Sequence, residues 1–158
     1  MGQHLLSVMS EMIQLHEKLI KVSEQKHTAL VERDMVSLTE VMSMEKDLLQ
    51  KLREKEVTRQ ELTGELSGDK EQTLKGVLDL LSPPVRRMVE SRAAELKKQA
   101  ETLKSLNEQN EELLKDAMAF IHHMIGHLTA PRDQSITYGR PNQKPSAGAP
   151  RGYFDTKA

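Results

Sequence analysis

The sequence contains no cysteine, which excludes disulfides, thiolate catalysis and Cys-ligated zinc and leaves a reducing cytoplasm as the simplest setting. Tryptophan is absent too, and two tyrosines with two phenylalanines bring the aromatic share to only 3%. A core must then be built from Leu, Met, Val, Ile and Ala, the recipe of a helical bundle or coiled coil and a poor one for a β-sandwich. An excess of one charge is also missing. The 23 Lys and Arg stand against 24 Asp and Glu, so the molecule has no basic field with which to capture nucleic acid or a membrane surface. No apolar run approaches the roughly 18 residues of a transmembrane helix. The opening Met1-Gly2-Gln3-His4 lacks the basic residues of a signal peptide, and Glu11 interrupts the apolar stretch that follows. Leu6 stands where a myristoylation motif requires Ser or Thr. A cytoplasmic protein without membrane insertion is expected. Its 158 residues hold one ordinary domain, or a smaller one with a tail.

Proline is confined to Pro83, Pro84, Pro131, Pro141, Pro145 and Pro150, which leaves 1–82 and 85–130 free of the strongest helix breaker. In the first stretch Leu5-Leu6, Met12-Ile13 and Leu19-Ile20 recur every seven residues, with Val8-Met9, Leu15 and Val22 between them. This spacing predicts a helix of about 30 residues with a wide apolar face. Glu32-Arg33-Asp34 breaks the pattern, and Asp34 suits the N-cap of a second helix along Leu38, Val41-Met42, Leu48-Leu49 and Leu52. That line passes through Glu45, where an apolar residue is expected, and the helix is expected to close around Gly64 and Gly68. Leu74, Val77, Leu78 and Leu81 then predict a helix of about three turns.

Ser82-Pro83-Pro84 signals the start of the longest helix. One seam is expected along Val89, Leu96, Leu103, Asn110, Ala117 and Met124, and a companion along Ala93, Ala100, Asn107, Leu114, Ile121 and Leu128. Pro131 stops it. Two readings of Asn107 and Asn110 stay open: buried and fixing register, or part of a stretch that is less buried. The short break at 32–34 predicts antiparallel neighbours. The fold expected is thus all-α: an antiparallel bundle of long helices with coiled-coil character over 1–128, one short extra helix, and a tail.

Residues 129–158 hold four of the six prolines and few aliphatics, and are expected to form a disordered, flexible tail. Arg132, Arg140, Lys144, Arg151 and Lys157 against Asp133 and Asp155 give it +3, leaving −4 of the net −1 to the bundle.

Catalytic signatures are missing one after another: no Gly-rich phosphate loop, no G-x-S-x-G, no H-E-x-x-H. The chain is expected not to be an enzyme and to carry no cofactor. His123 and His127, four apart beside His122, offer at most two ligands on one helical face, so no metal site is expected. The nine methionines are expected mainly to fill the core, with Met9, Met12, Met42, Met88 and Met124 on the apolar lines of their helices.

Several stretches together, in order and spacing, are similar to a known family. The second helix reads Leu38-Thr39-Glu40-Val41-Met42-Ser43-Met44-Glu45-Lys46-Asp47-Leu48-Leu49, and the long one carries Leu106-Asn107-Glu108-Gln109-Asn110-Glu111-Glu112-Leu113-Leu114. The tail carries Thr137-Tyr138-Gly139 and ends Phe154-Asp155-Thr156-Lys157-Ala158. Over essentially its whole length the chain resembles the FlgN family of flagellar export chaperones. The resemblance implies a cytoplasmic, ATP-independent chaperone that binds the C-terminal helical regions of the hook-filament junction proteins FlgK and FlgL. It implies that these clients stay unassembled until delivery to the type III export gate protein FlhA, and that the C-terminal part holds the client. A Tyr-Gly after the long helix is implicated in gate docking, which maps onto Tyr138 and Gly139.

Helix lengths point to the client site independently. At ~1.5 Å per residue the first two helices span roughly 45 Å and residues 84–128 roughly 67 Å. The last dozen residues of the long helix are then left without a bundle to pack on, yet Ala117, Met118, Phe120, Ile121, Met124, Ile125 and Leu128 make them its most apolar part. An unpartnered stripe of this kind predicts a client-binding surface. A monomeric free state is expected. The competing expectation is a structural coiled-coil protein that homodimerises through the long helix, and nucleic-acid binding by the tail ranks last.

Overall fold

The structure is a computed structural model and describes residues 1–129. It has three long helices, α1 (Gly2–Glu32), α2 (Met35–Ser67) and α4 (Pro83–Thr129), with a single turn, α3 (Leu74–Val77), before a 3-10 turn at Leu78–Leu80. α1 lies in the middle and packs against both α2 and α4. Its doubled apolar positions explain this, because two adjacent residues per turn face two neighbours. α2 returns antiparallel to α1. α4 runs parallel to α1, as Gly2 facing Val85 at one end and Arg33 facing Phe120 at the other demonstrate. The all-α bundle expected from the sequence is therefore observed, with no strand among the described residues.

The reversal between α1 and α2 takes two residues. Arg33 adopts a left-handed conformation (φ 56°, ψ 35°), its N–H donates to the Leu30 carbonyl, and the Asp34 N–H donates to the Ala29 carbonyl at 2.9 Å. These are the two bonds of a Schellman motif, here built without glycine. Asp34 then caps α2, its carboxylate accepting from the Ser37 N–H at 3.1 Å and the Ser37 hydroxyl at 2.6 Å. The hydrogen bond from the Ser37 side chain, aided by that from its backbone, holds the Asp34 carboxyl below its usual range. Lower down α2, the hydrogen bond from Arg59 does the same for Glu56. Since both folded values are depressed, the stabilisation is present above the ordinary carboxylate range and is lost as pH falls through the folded values. Asp34→Asn is expected to keep a side-chain acceptor for the cap while flattening the acid limb of the melting-temperature profile. An acid limb unchanged by this substitution would remove Asp34 from the account.

The base of the bundle is its tightest part. Leu5, Met9 and Val89 are fully buried there, together with Leu62 of α2, and Leu74, Leu78 and Leu81 close it from below. The predicted three-turn helix is shorter in the structure. The residue before a proline is driven out of the helical region, and already at Leu81 the backbone is extended (φ −91°, ψ 148°). α2 continues through Gly64 and closes at Gly68 (φ 74°), whose N–H donates to the Gly64 carbonyl at 2.8 Å. Gly64 is buried because the Lys70 backbone folds over it, its Cα 3.3 Å from where a Cβ would stand.

Two expectations about the seams are corrected. The first α4 line, Val89, Leu96, Leu103, Asn110 and Ala117, does face inward; of its expected companion Ala93 and Leu114 are half-buried against the core, and the rest of that side is lined one residue earlier, by Val85, Arg92, Gln99, Leu106 and Leu113. Ala100 and Asn107 are exposed. Core filling describes only part of the methionines: Met9 and Met12 are buried, whereas Met42, Met88 and Met124 are 44–48% exposed. α2 and α4 each pack chiefly on α1, so a residue at the flank of either apolar line stays in water. Glu45, the charged residue on the α2 line, is held by Lys26 of α1 at 2.9 Å, with both side chains less than one-fifth exposed.

Candidate functional site: the projecting end of the long helix

A polar cluster sets the register of α4 against α1. The Asn110 amide donates to the Ser23 carbonyl at 2.9 Å and to Ser23 Oγ at 3.1 Å. Ser23 Oγ donates in turn to Asn107 Oδ1, and His27 Nδ1 to Asn110 Oδ1, each at 3.2 Å. Ser23 is 0% and Asn110 2% exposed. Of the two readings left open by the sequence, the register-fixing one thus holds for Asn110, while Asn107 sits at the exposed rim and still takes a bond.

With this register, α1 ends at the level of Ala117 to Phe120. The Arg33 guanidinium at the α1–α2 turn lies 4.3 Å from the centre of the Phe120 ring. Beyond it, among the described residues, α4 projects alone for about 15 Å, from Phe120 to Thr129 at ~1.5 Å per residue. Of the seven residues proposed as client-binding, Ala117 is half-buried at the base of this projection. The other six are exposed: Met118 51%, Phe120 43%, Ile121 45%, Met124 48%, Ile125 50% and Leu128 81%. At ~100° per residue all seven fall within an arc of about 160°, which continues the face that α1 covers lower down. The arrangement offers an apolar, helix-shaped surface.

Histidines flank the arc. His123 and His127 place their Nε2 atoms 3.1 Å apart, with rings edge to face. No group of three or more potential metal ligands occurs among the described residues. Sequence reasoning missed Arg33 and the apolar side chains around it, Val31, Met35 and Val36, which are 58–72% exposed. Arg33 falls in the polar break and the other three flank it, and the only signal was that apolar residues stand beside so short a charged turn. Tyr138 and Gly139, the expected gate-docking residues, lie outside the described residues, as does the tail from residue 130.

The site is thus a helical scaffold from which one apolar helix end stands exposed. Among the described residues no helix is long and apolar enough to cross a membrane. A model of the FlgN protein family matches residues 1–146, nearly the whole chain, and the chain belongs to that family. Membership carries the general role of a flagellar export chaperone. Comparison with curated proteins and with solved structures gives no match.

Proposed function

We propose that this chain is a cytoplasmic, non-enzymatic chaperone of flagellar type III export. It holds the hook-filament junction proteins FlgK and FlgL unassembled and delivers them to the export gate protein FlhA. The observation that carries the reading is the projecting end of α4, where six large apolar side chains stand 43–81% exposed at the end of a seam that is otherwise covered. Exposed apolar patches of this kind mark interaction sites, and residues at three- and four-residue spacing are how one helix reads another. Light scattering tests it: the free chain is expected to be a monomer and to form a 1:1 complex with purified FlgK or FlgL. A stable homodimer that ignores both would favour the structural coiled-coil reading instead.

In the same reading Tyr138, with Gly139 beside it, docks the loaded chaperone on the gate. Tyr138→Ala is expected to leave folding and client affinity intact while reducing export. Loss of client binding in calorimetry would assign this tyrosine to the other partner.

A further inference from the structure

Arg33 is the one non-glycine residue among those described with a left-handed backbone, at φ 56°. In that conformation a Cβ crowds the following carbonyl, which is why glycine usually ends such a turn. The reversal between α1 and α2 therefore does not call for this side chain. Its guanidinium lies instead against Phe120, 4.3 Å from the ring centre and at one edge of the apolar arc. There it is the one permanent charge set against the arc, since α4 carries no Asp, Glu, Lys or Arg from Ala117 to Thr129. Among the described residues no ion pair forms to Arg33. The neighbouring carboxylates are engaged or turned away. Asp34 accepts from the Ser37 N–H and hydroxyl. Glu32 lies roughly 140–180° around α1 from Ser23 and His27, which face α4. Asp116, one turn below Phe120, is exposed.

We propose that Arg33 is a specificity-determining residue of the docking surface, and that the partner it fits is an amphipathic helix with an Asp or Glu carboxylate beside its apolar face, at the end nearest the α1–α2 turn. This rests on the client-binding reading above and adds what the bound helix must carry. The arc continues the face of α4 that α1 covers lower down, where Leu113 and Leu114 pack against Ala29 and Leu30. A helix docked on the arc in line with α1 therefore has its near end at Arg33. Contact there strips water from the guanidinium, and a charge left unpaired in such a place is costly. Among the described residues no carboxylate is placed to offset it, so the partner must bring one. The arginine fork takes a carboxylate through two parallel N–H donors, a pair that is stronger beside apolar surface than in open water. A helix with Lys or Arg at that position would be rejected by the same charge.

Calorimetry with the junction protein used above tests the charge. Arg33→Gln keeps a long polar side chain on the same backbone and removes the charge, and is expected to weaken binding roughly tenfold. Arg33→Glu places like charges together and is expected to weaken it by roughly tenfold more. Arg33→Gly relieves the left-handed turn, so it is expected to keep the circular dichroism melting of the parent and yet to bind as weakly as the Gln variant. If the Gln and Gly variants bind like the parent, the inference is overturned. If Glu is no worse than Gln, Arg33 serves only to hold Phe120 and no carboxylate is read, which overturns it as well. In both cases the chaperone reading stands, because Ile121→Asp with Met124→Asp tests it separately. If that central pair is silent, the docking surface itself is wrong and both fall. A homodimer of the free chain that Arg33→Gln dissolves would give the surface to a second copy and overturn the inference too.

Discussion

Ile121→Asp combined with Met124→Asp is expected to abolish client capture, with affinity falling at least a hundredfold, and to leave the fold intact. Both residues lie at the centre of the arc, where a docked helix must exclude water. Each substitution would bury an unpaired carboxylate against apolar surface, a cost of about 2 kcal/mol or more per site. Two such costs exceed the ~2.8 kcal/mol that a hundredfold requires. In the free chain the same residues are 45% and 48% exposed beyond the end of α1. Substitution there changes stability by no more than about 0.5 kcal/mol. Calorimetry and thermal melting separate the two effects. A double mutant that unfolds would place these residues in the core and refute the unsupported projection.

The second large effect is expected at Asn110. Asn110→Ala removes both bonds donated to Ser23 and leaves a small cavity in a buried seam, a loss of about 2–3 kcal/mol. Asn110→Leu tests what the residue is for. It fills the space with apolar volume, so the melting temperature is expected to hold or rise, while the register of α4 on α1 becomes less defined. A slip of one heptad would bring Leu103 or Ala117 opposite Ser23, leaving the serine hydroxyl without its amide partner. With Asn110 such a slip costs its hydrogen bonds; with Leu it costs little. The chain has no cysteine, so spin labels on Glu24→Cys and Glu112→Cys report the α1–α4 distance without interference. A broadened distribution in the Leu variant is the expected result, and a distribution as narrow as with Asn110 would show that shape alone sets register.

Much of the scaffold was legible because it rests on local rules. Asp34 caps as its side chain predicts, Pro83 opens α4, and the doublets of α1 announce a helix buried on two sides. The projection followed from counting residues. What was hidden depends on which neighbour each face meets. Gln99 is buried on the companion seam of α4, where hydropathy points to Ala100 one residue later. Met42 and Met88 look like core because nothing local says that α2 and α4 each pack chiefly on one helix. Glu45 reads as a fault until Lys26, nineteen positions away, is seen to hold it. Arg33 was invisible as a site residue, since its meeting with Phe120 exists only once three helices are assembled.

The pairing of α1 with α4 also dictates an order of assembly. Ser23 and Asn107 are 84 residues apart in sequence, whereas α1 and α2 meet across a two-residue turn. The hairpin closes a short loop and can form early; docking α4 closes a long one, which is slower and entropically dearer. During synthesis the hairpin is therefore complete while the face reserved for α4 is still bare, and the apolar end of α4 emerges after both hairpin helices. The exposed apolar end of α4 thus becomes available only after the hairpin that supports it has had time to form.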